Sequence, residues 1–166
     1  LARDSGLVTP VCIILNTLGW IYHDLSNIEV ALKYNNESLE YARKHQKSRA
    51  SGAVPSALLN LAMDYLSVND HENAEKYYTK VINAYDQHRV GWWRIEIRIF
   101  LGRGETALAK GDYLQALKLT EDSLAISRKA EAKKYVAKGL RQKAEILSKM
   151  GKTEEAVELM QNALKL

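Results

Sequence analysis

The chain has 166 residues, 46% of them hydrophobic and 27% charged, with two prolines and one cysteine. That balance suits one ordinary folded domain and excludes a disordered tail, a disulfide scaffold and a cysteine-rich zinc module. No apolar run nears the roughly 20 residues of a membrane-spanning helix, and a net charge of +4 is too thinly spread to argue for nucleic acid.

The predicted elements are all helices. "LARDSGL" at the start aligns with "YAR" (Tyr41–Arg43) and "ISR" (Ile126–Arg128), both near helix ends, so it is expected to be the tail of a preceding repeat. Thr9 then reads as an N-cap and Pro10 as the first helical residue, opening a helix over residues 10–25. Cys12, inside "VCIILNTLGW", reads as a buried structural thiol and favours a reducing, cytoplasmic setting. A second helix is expected over 28–46, then a longer connection, "KHQKSRASGA" (44–53). Pro55 opens a helix over 54–68, and the next spans 71–87. Further helices are expected over 90–110, 113–129, 131–150 and 153–166. Gly111 and Gly151 stand where a helix end wants a left-handed residue. Asp112 and Thr153 are expected as the next N-caps.

A repeat underlies this series. Gly19, Ala62, Gly104 and Ala144 stand 43, 42 and 40 residues apart. Each is followed twelve residues later by an alanine: Ala31, Ala74, Ala116 and Ala156. Twelve residues carry the chain through half a helix, a short turn and the first turn of the next helix. The two small positions are therefore expected to face each other where antiparallel helices cross closely. Leu18, Tyr22, Leu61, Tyr65 and Leu147 are expected to fill the layer around them.

With its small residue, its tyrosine three places on (Tyr22, Tyr65) and its later alanine, the pattern resembles tetratricopeptide repeats over essentially the whole chain. The period of 40–43 exceeds the family's usual 34, and Leu15, Leu58, Phe100 and Leu140 stand where the family carries tryptophan. Long repeats of this kind are similar to arrays in large bacterial and archaeal signalling proteins, fused to nucleotide cyclase or ATPase-regulator domains. The resemblance implies a single all-α, right-handed superhelical solenoid over 1–166. It would comprise four antiparallel hairpins, approximately 10–46, 54–87, 90–129 and 131–166, cut from a longer array.

It further implies a concave groove lined by the first helix of each hairpin. Counting from the small residues places Asn16, Trp20 and His23 there, with Leu59, Asn60 and Met63, then Arg94, Arg98 and Leu101, then Lys138 and Arg141. Trp20, Leu59 and Met63 would take apolar side chains of a peptide. Arg94, Arg98, Lys138 and Arg141 would take acidic ones. Asn16 and Asn60 resemble the asparagines by which related grooves hold a peptide main chain. The basic set that clamps a chaperone's terminal carboxylate is out of register, with Asn16 where a lysine and Gly102 where an arginine is expected. Trp93 falls on the core stripe, and Trp92 is the better candidate for a partner contact.

No Ser/His/Asp set, carboxylate pair or metal-ligand spacing can be singled out, and "GRGE" (102–105) lacks the strand and ending of a phosphate loop. The expectation is a non-enzymatic scaffold that binds a protein or acidic peptide, with no cofactor and no membrane partner. Association through exposed array ends is open to it. The alternatives are a sensor segment, binding a small molecule or signalling peptide and regulating an attached catalytic domain, and a nucleic-acid binder using the basic second half.

Overall fold

The computed structural model describes residues 2–45, 52–84 and 92–164, with side chains from residue 9 onward. His88, most of the 44–53 connection, and the expected helix boundaries at 46, 87, 90 and 166 lie outside the described residues. Within them are eight helices and no strand. They are α1 (Ala2–Asp24), α2 (Ile28–His45), α3 (Ala53–Ser67), α4 (His71–Ala84), α5 (Trp93–Ala109), α6 (Tyr113–Lys129), α7 (Lys133–Lys149) and α8 (Thr153–Ala163). The helices group into two compact units, residues 1–86 and 87–166. In the first, α1 packs on α2, α2 on α3, α3 on α4 and α1 on α3; in the second, α5 to α8 repeat the same pattern of neighbours.

The start of α1 corrects the sequence reading. The helix runs unbroken from Ala2 through Pro10, so Thr9 is no N-cap and "LARDSGL" is no separate helix tail. Pro10 lies on an exposed face of α1, and its missing N–H removes one helical hydrogen bond. Pro55 behaves as expected, in the first turn of α3, where the lost donor costs no helical hydrogen bond.

All four hairpin turns close alike. Seven residues after each small position the backbone turns left-handed, at Ser26 (φ 60°), Asn69 (60°), Gly111 (77°) and Gly151 (81°). Each time the next N–H reaches back five residues to a helical carbonyl: Asn27 to Tyr22 at 2.8 Å, Asp70 to Tyr65 at 2.9 Å, Asp112 to Ala107 at 3.0 Å, Lys152 to Leu147 at 2.9 Å. The residue making that bond is also the N-cap of the following helix. Asn27 accepts from the Val30 N–H, Asp70 from Asn73 and Asp112 from Gln115. In the last hairpin the cap position falls on Lys152, which has no acceptor, and the expected cap Thr153 is instead the first helical residue.

The small positions and the alanines paired with them are all buried. Ala31, Ala74 and Ala116 are fully buried, and Ala144 and Ala156 share one buried cluster with Leu147. The glycines, however, press on the residue one turn beyond the alanine. A Cβ on Gly19 would stand 2.2 Å from Asn35 Oδ1, and one on Gly104 3.3 Å from Thr120 Oγ1. A Cβ on either glycine would thus first meet a residue four places beyond the paired alanine. There a bulkier polar side chain uses the space. Beside this rung sit the stacked pairs Tyr22–Tyr34 (5.6 Å) and Tyr65–Tyr77 (5.3 Å). The corresponding places in the second unit hold Ala107 and Leu119, then Leu147 and Leu159.

Candidate functional site

In the first unit α3 is an apolar helix, "AVPSALLNLAMDYLS", with a single charged residue. That residue, Asp64, points inward and is 1% exposed. A buried carboxylate persists only if its oxygens are satisfied. Oδ1 accepts from His23 Nδ1 of α1 at 2.8 Å, and Oδ2 accepts from Asn35 Nδ2 of α2 at 2.7 Å. Asn60 Nδ2 donates in turn to Asn35 Oδ1 at 3.2 Å. One carboxylate thus ties the third helix of the unit to its first and second.

The second unit has a counterpart built from neutral groups. Gln142 of α7 donates from Nε2 to the Leu101 carbonyl of α5 at 2.8 Å, and its Oε1 lies 3.1 Å from Thr120 Oγ1 of α6. Asn60 and Gln142 occupy the same place, two residues before the small position, as do Asn35 and Thr120, sixteen after it. In both units a glycine opposite makes room for the polar rung.

The network also aligns three residues that the sequence did not suggest as a set. Beside an ionised Asp64, which can only accept, a neutral His23 ring would carry its proton on Nδ1 and present Nε2 as an acceptor. Ser67 Oγ lies 3.5 Å from that Nε2. The order Ser67–His23–Asp64 is that of a nucleophile, base and orienting carboxylate. An acyl-transfer site would also need donors for an oxyanion. Ser67 ends α3, where the helix dipole is negative. The following N–H groups of Val68, Asn69 and Asp70 are all spent on carbonyls of Tyr65 and Leu66. Those three N–H groups are thus not free to stabilise an oxyanion, and what the arrangement visibly does is tie α1, α2 and α3 together.

The residues expected in the groove fare differently. Trp20 is 53% exposed and Ile13, two turns back on the same face of α1, is 58% exposed. Asn16 lies between them, half-buried, its Oδ1 buried without a hydrogen-bond partner. Met63 is half-buried. Leu59 is fully buried in the core and presents nothing to a ligand. His23 and Asn60 are held in the Asp64 network. In the second unit, Arg98 and Leu101 are half-buried, while Arg94, Lys138 and Arg141 are exposed. The Arg94 guanidinium lies over the Trp93 ring at 4.8 Å, and that ring meets Tyr135 edge-on at 6.4 Å. Trp93 is thereby half-buried, as is Trp92, whose carbonyl accepts from Ile95 and Glu96 at the start of α5. Lys134, Lys138 and Arg141 form an exposed basic stripe along α7.

Cys12 is buried beside Ala42, its Sγ 4.0 Å from the Ser38 carbonyl, and burial pushes its thiol pKa up. It is a packing residue. Among the described residues no group of His, Cys, Asp and Glu could hold a metal ion, and no helix is long and apolar enough to cross a membrane.

Two models of the tetratricopeptide repeat match the sequence, one over residues 14–45 and 55–88 and the other over 96–166. No curated protein matches it significantly. Among solved structures, the crystal structure of BtubC (BKLC) from P. vanneervenii is similar, with a TM-score of 0.71 at 16% identity. The likeness covers 93% of this chain but 62% of that one, and at such identity it bears on the fold alone.

Proposed function

Since the chain belongs to the tetratricopeptide repeat family, whose repeats mediate protein–protein interaction, we propose that it is a non-catalytic module that recognises a peptide segment of a protein partner. The observation that carries this reading is the exposed Ile13–Trp20 face of α1. A tryptophan exposed by more than half on a helix, beside an isoleucine, offers the large rigid contact that dominates binding energy at interfaces. Asn16 between them has an oxygen with no internal donor, and turning its amide outward would offer it to a peptide N–H. The Lys134–Lys138–Arg141 stripe supports a preference for acidic residues in the partner. The 40–43-residue period, shared with long signalling arrays, supports a place in a larger regulatory protein. A lone buried thiol suits the cytoplasm.

Selection of peptides from a random displayed library against the chain tests this reading. Selected peptides should bind Trp20→Ala at least tenfold more weakly, about 1.4 kcal/mol. Peptides that bind the wild type and Trp20→Ala equally would remove the α1 face from the function.

A further inference from the structure

The two hairpin turns of the first unit share one sign of charge. From Ser5 to Leu32, and again from Ser56 to Glu75, the chain has no Lys or Arg. The same stretches hold Asp24, Glu29, Asp64, Asp70, Glu72 and Glu75. Of these only Asp64 is buried, its oxygens satisfied by His23 and Asn35. Asp24 and Glu29 flank the α1–α2 turn, and Asp70 and Glu72 lie at the α3–α4 turn. Asp24, Glu29 and Glu72 are exposed, and Asp70 is half-exposed.

Both turns carry an apolar residue at the tip, six places after the small residue of the hairpin. Leu25 is 68% exposed and Val68 50%. The tips are neighbours. Ser67 Oγ, next to Val68, lies 3.5 Å from Nε2 of His23, two residues before Leu25. His23 and Ser67 therefore form the floor between the tips. A turn tip stands at the helix ends, away from the flanks through which hairpins stack. The same place in the third hairpin shows this: Lys110 is exposed although α7 packs on both α5 and α6.

We infer that this turn edge docks a basic segment of a protein partner, one that carries an apolar side chain between Lys or Arg residues. The apolar side chain sits on Leu25 and Val68, and the cations reach Asp24, Glu29, Asp70 and Glu72. A single exposed leucine or valine is ordinary. A neighbouring pair ringed by carboxylates, with no cation among them, has a complement of definite sign. Nucleic acid and an anionic lipid surface are both repelled by that ring. A bare metal ion would leave the apolar tips unused, and among the described residues no three His, Cys, Asp or Glu groups could hold one. The edge differs in place and in sign from the Lys134–Lys138–Arg141 stripe, and it lies beyond the Ile13–Trp20 face at the end of α1. It stands or falls separately from both.

Fluorescence anisotropy with a labelled amphipathic peptide of leucine and lysine tests the inference, with a leucine–glutamate peptide of equal length as the comparison. The leucine–lysine peptide should bind the wild type. The double variant Leu25→Ser, Val68→Ser should weaken that binding on the order of tenfold. Asp24→Asn, Glu29→Gln and Glu72→Gln together should weaken it similarly and flatten its dependence on salt. Trp20→Ala should leave it unchanged. A wild type that does not bind the leucine–lysine peptide overturns the inference. So does equal binding by the wild type and the double variant, or a loss with Trp20→Ala alone, which would move the contact to the α1 face. A leucine–glutamate peptide that loses as much affinity in the double variant would show an edge indifferent to sign, and overturns it too. Leu25→Lys with Val68→Lys replaces the serine pair should that pair lose its helical circular dichroism, because Lys110 shows that the tip accepts lysine.

Discussion

At Gly19 the missing side chain is occupied by another residue's amide. Any Cβ there would overlap Asn35 Oδ1, and Asn35 has little freedom to yield because it is tied to Asp64 and Asn60. Gly19→Ala is expected to cost about 1–3 kcal/mol through overpacking, read as a lower urea midpoint. At Gly104 the nearest neighbour is 3.3 Å away. There the gain of roughly 1 kcal/mol in helix propensity offsets a small adjustment, so Gly104→Ala should leave stability nearly unchanged. Equal losses at the two glycines would mean that the rungs do not differ in tightness.

Asp70 shows how a single cap couples to pH. The side-chain amide of Asn73, and then its backbone N–H, hold the Asp70 carboxyl below the ordinary aspartate range. A depressed folded pKa means that the unfolded chain binds the proton more readily. The cap's contribution is therefore complete above the unfolded aspartate value and is lost as pH falls through the folded one. Asn is as good an N-cap as Asp and does not titrate. Asp70→Asn should flatten the acid side of the melting temperature against pH profile and change little at neutral pH. An unaltered acid limb would remove Asp70 from the account.

At the scale of elements, local rules explain most boundaries, and their exceptions are informative. Three hairpins place Asn or Asp at the cap after the left-handed residue, and the fourth places Lys152. Lys152→Asp should stabilise α8 by about 1 kcal/mol, visible as a higher denaturation midpoint. Gly at two of the four left-handed positions was legible because glycine announces that backbone. Ser26 and Asn69 adopt the same conformation without announcing it. Pro10 is a sharper case, since the sequence rule for proline favours a helix start and the structure carries α1 straight through. If α1 is continuous, Pro10→Ala should stabilise the chain by up to about 3 kcal/mol. A neutral substitution would return Pro10 to the first helical position.

At the scale of the molecule, charge and packing divide the chain differently. The excess of Lys and Arg lies after residue 83, and the buried Asp64 network lies before it. Reversing Lys134, Lys138 and Arg141 together to Glu takes the formal net charge from +4 to −2, two units for each residue. The wild type should bind polyglutamate at low salt and release it as ionic strength rises. The triple variant should not bind it at any salt concentration. Retained binding by the variant would place the acidic contact elsewhere.

The family was legible from the sequence because a repeat restates its small residues, turns and caps every 40–43 positions, and each of those features acts over about eight residues of chain. The lone carboxylate in apolar α3 was a signal that could have singled out Asp64. Nothing in the sequence named its partners, His23 and Asn35, which lie 41 and 29 residues away. Spacing likewise put Leu59 on the ligand face, although it is fully buried, because a count along one helix fixes an angle but not the depth or rotation of its neighbour. Helix identity and turn chemistry are short-range and belong to the sequence alone. Which face a side chain buries, and which polar group it must satisfy, depend on how two helices settle against each other, and only the tertiary structure decided that.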